Sequence, residues 1–281
     1  MSNKTPRYGL VIDISRCSGC YNCFLACKDE HCGHDYPGYT AAQPMTGHRW
    51  INLKETERGR YPKVKVSYTP IPCMHCRQAP CIQQAKGEAV YRRADGIVII
   101  DPVKAKGQKQ LIEACPYGVI YWNEEKNLPQ KCTFCAHLLD RGWKEPRCVE
   151  LCPAGALVFG DLDDPQGEAA RIIAENHTET LLPESGCKEN VVYIGLAKKF
   201  IAGTVAYADT DEVAGGATVI QAKDWNKKTI KANGFGDFEF EGLDSDTNYS
   251  IRIEAPSYQA HEQHVKTLTD RYLGVIMLRK Q

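Results

Sequence analysis

The run Cys17-Ser-Gly-Cys20-Tyr-Asn-Cys23-Phe-Leu-Ala-Cys27 constrains the fold more than any other stretch of this chain. Its first three cysteines are separated by two residues each, and the fourth follows after three more, which is the bacterial ligand pattern for a cubane iron–sulfur cluster. A tight loop can place three thiolates around three iron corners, whereas the fourth cysteine, on the following helix, faces a neighbouring cluster. One such run therefore predicts a second cluster elsewhere in the chain.

Three more cysteine groups follow this run. Cys73, Cys76 and Cys81 form a second loop, but Ala85 occupies the place of its fourth cysteine. The third group retains only Cys115, because the usual spacing puts its other three places on non-cysteine residues, namely Leu111, Gln108 and Ala105. The last group contains four cysteines, namely Cys132, Cys135, Cys148 and Cys152.

The crossover rule of two-cluster ferredoxins assigns three cysteines of one run and the last cysteine of its partner run to the same cluster. Applied here, it predicts three complete [4Fe-4S] ligand sets and no ligands for a fourth. Set one is Cys17, Cys20, Cys23 and Cys152. Set two is Cys27, Cys132, Cys135 and Cys148. Set three is Cys73, Cys76, Cys81 and Cys115. The fourth set would require cysteines at positions 85, 105, 108 and 111, and all four are absent together.

Other uses of the cysteines are weighed against this one. The last group taken alone has spacing that also suits a zinc site, but its position beside three similar runs favours iron. A secreted disulfide scaffold is disfavoured because residues 1–16 do not have the pattern of a signal peptide. Cys32 and Cys187 are expected to be unligated thiols, and His31 and His34 are expected to be surface histidines.

Composition excludes several classes of function. The 281 residues include 35 basic and 35 acidic side chains, so no net charge favours nucleic acid or an anionic membrane. No apolar run approaches the length of a membrane-spanning helix, so direct membrane insertion is not expected. Together with the absence of a signal peptide, this predicts a cytoplasmic protein.

The predicted fold class is α+β, with ferredoxin-like [4Fe-4S] modules in residues 1–197 and a small antiparallel β-sandwich in residues 198–281. The second domain has no cysteine and shows seven short alternating segments separated by turn residues, which is typical of a sandwich. These segments are Phe200–Tyr207, Ala217–Lys223, Thr229–Ala232, Asp237–Phe240, Tyr249–Ala255, His264–Leu268 and Tyr272–Leu278.

Over roughly residues 8–165 the chain resembles the iron–sulfur subunits of the dimethyl sulfoxide reductase family of molybdopterin enzymes. The resemblance rests on the cysteine runs, on Cys115-Pro-Tyr-Gly and on the lysine before the last group, Lys131. It implies a large partner subunit that holds molybdopterin guanine dinucleotide with molybdenum or tungsten. This chain would then be a non-catalytic electron-transfer subunit without catalytic residues of its own.

Three features together resemble the subunits of family members that act on polyphenols: the missing cluster, the segment Tyr36-Pro-Gly-Tyr-Thr to Trp50, and the added C-terminal domain. That domain is similar to transthyretin-like or carboxypeptidase-regulatory domains. A polyphenol substrate for the partner is therefore the first hypothesis. The alternatives are a subunit of a respiratory reductase for an inorganic or small organic acceptor, and a free-standing ferredoxin-like carrier.

Overall fold

The computed structural model describes residues 5–281, so the first four residues of the predicted domain 1–197 lie outside it. Strands predominate and the helices are short. The helices are α1 (Asn22–His31), α2 (Pro80–Gln84), α3 (Ala136–Leu139), α4 (Arg147–Glu150) and α5 (Glu168–Glu175). The strands of the first two hundred residues are β1 (Tyr8–Asp13), β2 (Ile51–Arg60), β3 (Lys63–Pro72), β4 (Val90–Arg92), β5 (Val98–Ile100), β6 (Tyr121–Asn123), β7 (Leu128–Gln130), β8 (Leu157–Asp161) and β9 (Val191–Ile194). The remaining strands are β10 (Lys199–Tyr207), β11 (Thr218–Lys223), β12 (Asn226–Lys231), β13 (Asp237–Leu243), β14 (Asn248–Glu254), β15 (His261–Lys266) and β16 (Arg271–Leu278).

The described chain forms two compact units. The first comprises residues 5–55 and Tyr68–Leu196, and the second comprises Thr56–Ser67 and Ala197–Gln281. Residues 56–67 are predicted to belong to the first domain, whereas the structure groups them with the second. They belong to the hairpin of β2 and β3, and alternation along a strand does not specify which core the strand packs against.

A three-stranded sheet supports the cysteine loops of the first unit. Its strand order is β8-β1-β9, with β1 antiparallel to β8 and parallel to β9. The central strand β1 is largely apolar and buried. A short 3-10 turn at Ile14–Arg16 follows it and connects it directly to Cys17. Strands β4 and β5 form an antiparallel pair between residues 90 and 100.

The second unit contains all seven predicted strands, β10 to β16, arranged in two sheets. One sheet has the order β13-β10-β16 and the other β12-β11-β14-β15. Apolar side chains from both sheets share one core, among them Phe240 and Ile276 from the first sheet and Val219 and Ile251 from the second. The predicted sandwich therefore has the expected two-layer core.

The prediction that this sandwich is antiparallel is wrong for one strand pair. Strand β16 runs parallel to β10 along most of its length. The other neighbouring strands of both sheets are antiparallel. Alternation identifies strands but carries no information about the direction of the partner. Among the described residues, no helix combines the length and apolar character needed to cross a membrane.

Candidate metal centres

The structure brings the four cysteines of set one to the wall of a single cavity. Cys17 follows the 3-10 turn after β1, Cys23 lies in the first turn of α1, and Cys152 comes two residues after α4. The amide of Ala156 donates a hydrogen bond to the Cys152 sulfur at 3.3 Å. Cys20, in the loop between the 3-10 turn and α1, is the exposed member of the set.

The loop of set one requires a glycine at position 19. Gly19 has a φ of +71°, and a β-carbon there would lie 2.6 Å from the ring of Tyr68. Glycine alone combines this left-handed backbone with the close approach of the ring. Gly19, which directly precedes Cys20, therefore sets the path of the loop.

A second cavity is lined by the four cysteines of set three. Cys81 is in α2, which begins with Pro80, while Cys73 and Cys76 lie in the loop after β3. The amide of His75 donates to the Cys73 sulfur at 3.4 Å. Apart from the cysteines, the wall is largely apolar, and it includes the two basic side chains of His75 and Lys131.

Two cysteines of set two, Cys27 in α1 and Cys148 in α4, lie on helices that pack against each other. Burial raises the pKa of Cys27 well above its usual value, and the charges of Cys132 and Cys135 add to the effect. Burial has the same effect on the pKa of Cys148, to which Cys135, Cys132 and Cys27 contribute. Mutual influence of this kind requires that the four thiols be close neighbours.

Set two is a neighbour of each of the other two sets. After burial, the charge of Cys73 from set three is the largest contribution to the raised pKa of Cys132. The charge of Cys23 from set one contributes to the raised pKa of Cys27. Thiols of set two are therefore close to thiols of both set one and set three.

The donor groups fit iron–sulfur clusters. All fourteen cysteines are free thiols, and soft thiolate ligands of this kind select iron–sulfur clusters or zinc. Burial raises the pKa of Cys23 to about 12 and that of Cys81 to about 11, so these thiols ionise only when a cation compensates the charge. Within residues 5–281, no three His, Cys, Asp or Glu side chains are placed to hold a single metal ion.

A buried histidine in the wall of the set three cavity also fits a bound cluster. His75 is fully buried, and its Nδ1 accepts a hydrogen bond from the amide of Val98 at 3.0 Å. The proton of the neutral ring is therefore assigned to Nε2, which is buried without a hydrogen-bond partner among the described residues. A buried donor of this kind is normally satisfied, and cluster sulfur is a suitable acceptor.

The four positions of the absent fourth set are filled by packing and hydrogen bonds. Ala105 and Leu111 are fully buried in the core of the first unit. The Gln108 side chain accepts a hydrogen bond from the amide of Lys86 at 2.9 Å and donates to the Lys86 and Lys104 carbonyl oxygens. Ala85 packs at the edge of the same core. These residues close the space by ordinary protein contacts.

The expectation that His31 lies on the surface is wrong. His31 is 1% exposed, and its Nε2 lies 3.6 Å from the sulfur of Cys135 in set two. Burial lowers the pKa of His31 to about 3, so the ring is neutral near pH 7. The signal that could have identified it is its place on α1, one turn after Cys27, which points the residue toward the same side of the helix. His34 is exposed, as expected.

The two remaining cysteines lie outside the three sets. Cys32 is half-buried and its sulfur contacts the sulfur of Met45 at 3.7 Å. Cys187 is buried, and its charge contributes to the raised pKa of Cys76, for which burial is the main cause. Neither residue lines the cavities of sets one and three.

Comparison with known proteins agrees with these sites. Residues 64–162 match the 4Fe-4S dicluster domain family. The chain is 44% identical over 256 residues to the pyrogallol hydroxytransferase small subunit of Pelobacter acidigallici. The matched region covers 89% of this chain and 91% of that protein. It is 37% identical to a putative iron–sulfur subunit of the dimethyl sulfoxide reductase of Halobacterium salinarum, over 66% of this chain and 78% of the relative.

A third relative is the iron–sulfur subunit of the arsenate respiratory reductase of a Shewanella species, at 31% identity over 67% of this chain and 96% of the relative. Two of these three relatives are named as iron–sulfur subunits, and the three differ in the substrates that their names give. The family prediction is confirmed: this chain belongs to the iron–sulfur subunits of the dimethyl sulfoxide reductase family of molybdopterin oxidoreductases, and it is similar over most of its length to the small subunit of pyrogallol hydroxytransferase.

Proposed function

We propose that the chain is the electron-transfer subunit of a molybdenum or tungsten bis-pterin oxidoreductase that acts on a polyphenol by hydroxyl transfer, hydroxylation or dehydroxylation. The match to the pyrogallol hydroxytransferase small subunit is the observation that carries the proposal. It spans 89% of the chain and therefore includes residues of the second unit, most of which follows Leu196. The large partner would bind the substrate and the molybdopterin guanine dinucleotide, and this chain would contribute no catalytic residue.

In this proposal the three cysteine sets hold three [4Fe-4S] clusters. The clusters, when bound, supply one-electron transfer, while the chain provides ligands, burial and hydrogen bonds that adjust the reduction potentials. The support is the grouping of the thiols of sets one and three around one cavity each and the amides directed at the sulfurs of Cys73, Cys132 and Cys152. The ferredoxin-like fold of residues 1–197 and the cytoplasmic location remain predictions.

A second candidate is the iron–sulfur subunit of a respiratory reductase for an inorganic or small organic acceptor. It is favoured by the relatives named for dimethyl sulfoxide and arsenate reduction. Those matches cover about two thirds of this chain, against 89% for the polyphenol relative. The wider match is the reason for ranking the polyphenol function first.

Anaerobic co-purification of the chain with its partner tests the proposal. We expect about twelve irons and an equal amount of acid-labile sulfide per chain, together with a large subunit that contains molybdenum or tungsten. The complex should convert polyphenols such as pyrogallol. Activity on arsenate or dimethyl sulfoxide without activity on polyphenols would support the second candidate, and purification without a large partner would support a free-standing carrier.

A further inference from the structure

Lys131 carries a buried ammonium group with unusual surroundings. It immediately follows β7 and precedes Cys132 of set two, and it is 2% exposed. Its Nζ donates hydrogen bonds to two backbone carbonyl oxygens, that of Val98 at 2.5 Å and that of Cys132 at 3.1 Å. The ammonium is therefore hydrogen-bonded, but only to neutral groups.

In the part of the chain that the structure describes, no acidic side chain neutralises this charge. Within residues 5–281, no Asp or Glu oxygen forms an ion pair with the Lys131 ammonium, whereas the partly buried Arg93 of the same unit pairs with both Asp95 and Asp140. An ionised group buried without an opposite charge is strongly disfavoured, and hydrogen bonds to carbonyl oxygens compensate only part of that cost. A negative charge close to Lys131 would explain why the chain buries a lysine here.

The groups around Lys131 identify where that negative charge is. Lys131 and Val98 both line the cavity of set three, beside Cys81 and Cys115. Lys131 also directly precedes Cys132 of set two in the sequence. A cubane cluster with four thiolate ligands has a net charge of about −2 in its oxidised form and gains a further negative charge on reduction.

We propose that Lys131 is the shared counter-charge of the clusters held by sets two and three, a positioning residue that raises the reduction potentials of both. This inference rests on the cysteine assignment given under the proposed function. A fixed positive charge beside a cluster stabilises the reduced form more than the oxidised form, because the reduced form has the greater negative charge. Set one, which does not share a cavity wall with Lys131, keeps its potential.

The test is a redox titration of the full complex carrying Lys131→Gln, followed by electron paramagnetic resonance. The glutamine amide keeps a donor for the carbonyl oxygens and removes the charge. We expect the iron content to stay at about twelve per chain, with two of the three cluster potentials shifted to lower values. Lys106→Gln, which removes an exposed lysine of the same unit, is the matched control and should leave all three potentials in place.

The outcomes separate this inference from the proposed function. Unchanged potentials in Lys131→Gln with full iron content overturn the counter-charge role. If the variant loses iron, selective loss of two clusters with set one retained supports the role, whereas loss of all three clusters indicates a packing role and overturns it. A wild-type complex without three clusters refutes the cysteine assignment itself, before any variant is considered.

Discussion

In the proposed assignment, Cys115 supplies the one ligand of set three that does not belong to the segment from Cys73 to Cys81, so its removal isolates the third site. We expect Cys115→Ala to reduce the iron content below about twelve per chain, to about eight if the whole cluster is lost, because three thiolates cannot complete the four-ligand set. Iron and labile-sulfide analysis of the purified chain measures this. The resonance signals of the other two clusters should persist.

Cys187 provides the control for that substitution. It is 2% exposed, so Cys187→Ala removes a thiol that is as buried as the ligands but lies outside all three sets. The iron content should stay at the wild-type value. Loss of iron from Cys187→Ala, or full iron in Cys115→Ala, would contradict the assignment of set three.

At this scale, the spacing of cysteines predicted more than the surrounding residues did. A ligand set follows a local geometric rule, so the partners of Cys17 and Cys27 could be named from spacing alone. The burial of His31 was not predicted, although the residue lies one turn after Cys27, because its neighbours Glu30 and Lys28 are charged and α1 has no clear apolar face. Its position depends on Trp50 and His137, which pack against its ring from distant parts of the chain.

Leu111 belongs to the segment that fills the place of the fourth set. Leu111→Ala should lower the free energy of unfolding of the first unit by about 2–5 kcal/mol, because the side chain is fully buried and its removal leaves a cavity. Val103→Ala, in the same segment but 75% exposed, should change it by less than about 0.5 kcal/mol. Anaerobic urea denaturation measures both. Similar effects for the two variants would show that the segment is not part of the core.

Two glycines of the second unit separate backbone strain from steric overlap. Both Gly216 and Gly236 have positive φ angles, but only at Gly236 would a β-carbon meet a neighbour too closely, 2.3 Å from the carbonyl oxygen of Val205. We expect Gly216→Ala to cost about 1–2 kcal/mol and Gly236→Ala to cost clearly more. Hydrogen exchange at the amides of β10 measures the difference. Equal effects would mean that β10 and the Gly236 turn adjust without cost.

At the scale of elements, the seven strands of the second unit were predicted with end errors of a few residues. Their side chains alternate between core and solvent, and turn residues separate them. The parallel pairing of β16 with β10 was not predictable, because it depends on contacts between residues some seventy positions apart. The pairing of β2 with β3 was missed for a different reason. The stretch before β2 is rich in Pro and Gly, and it obscured the start of β2 at Ile51.

Iron removal should affect the two units differently. Several ligand cysteines, among them Cys23, Cys76 and Cys132, are part of the core of the first unit, whereas the core of the second contains no cysteine. Anaerobic chelation of iron from the full chain should therefore abolish hydrogen-exchange protection in α1 and β5 while β14 stays protected. Mass spectrometry of exchanged peptides measures this. Loss of protection in β14 as well would show that the second unit depends on the clusters.

The cavity shared by Cys23 and Cys152 has a consequence for biosynthesis. The two residues are 152 − 23 = 129 positions apart, and a ribosome needs roughly 6 to 26 seconds to add that many residues. During that interval the first three thiols of set one have been synthesised without their fourth ligand. Under the proposed assignment, the ligand sets one and two are therefore complete only after translation has passed residue 152, and the nascent thiols have to stay reduced until then.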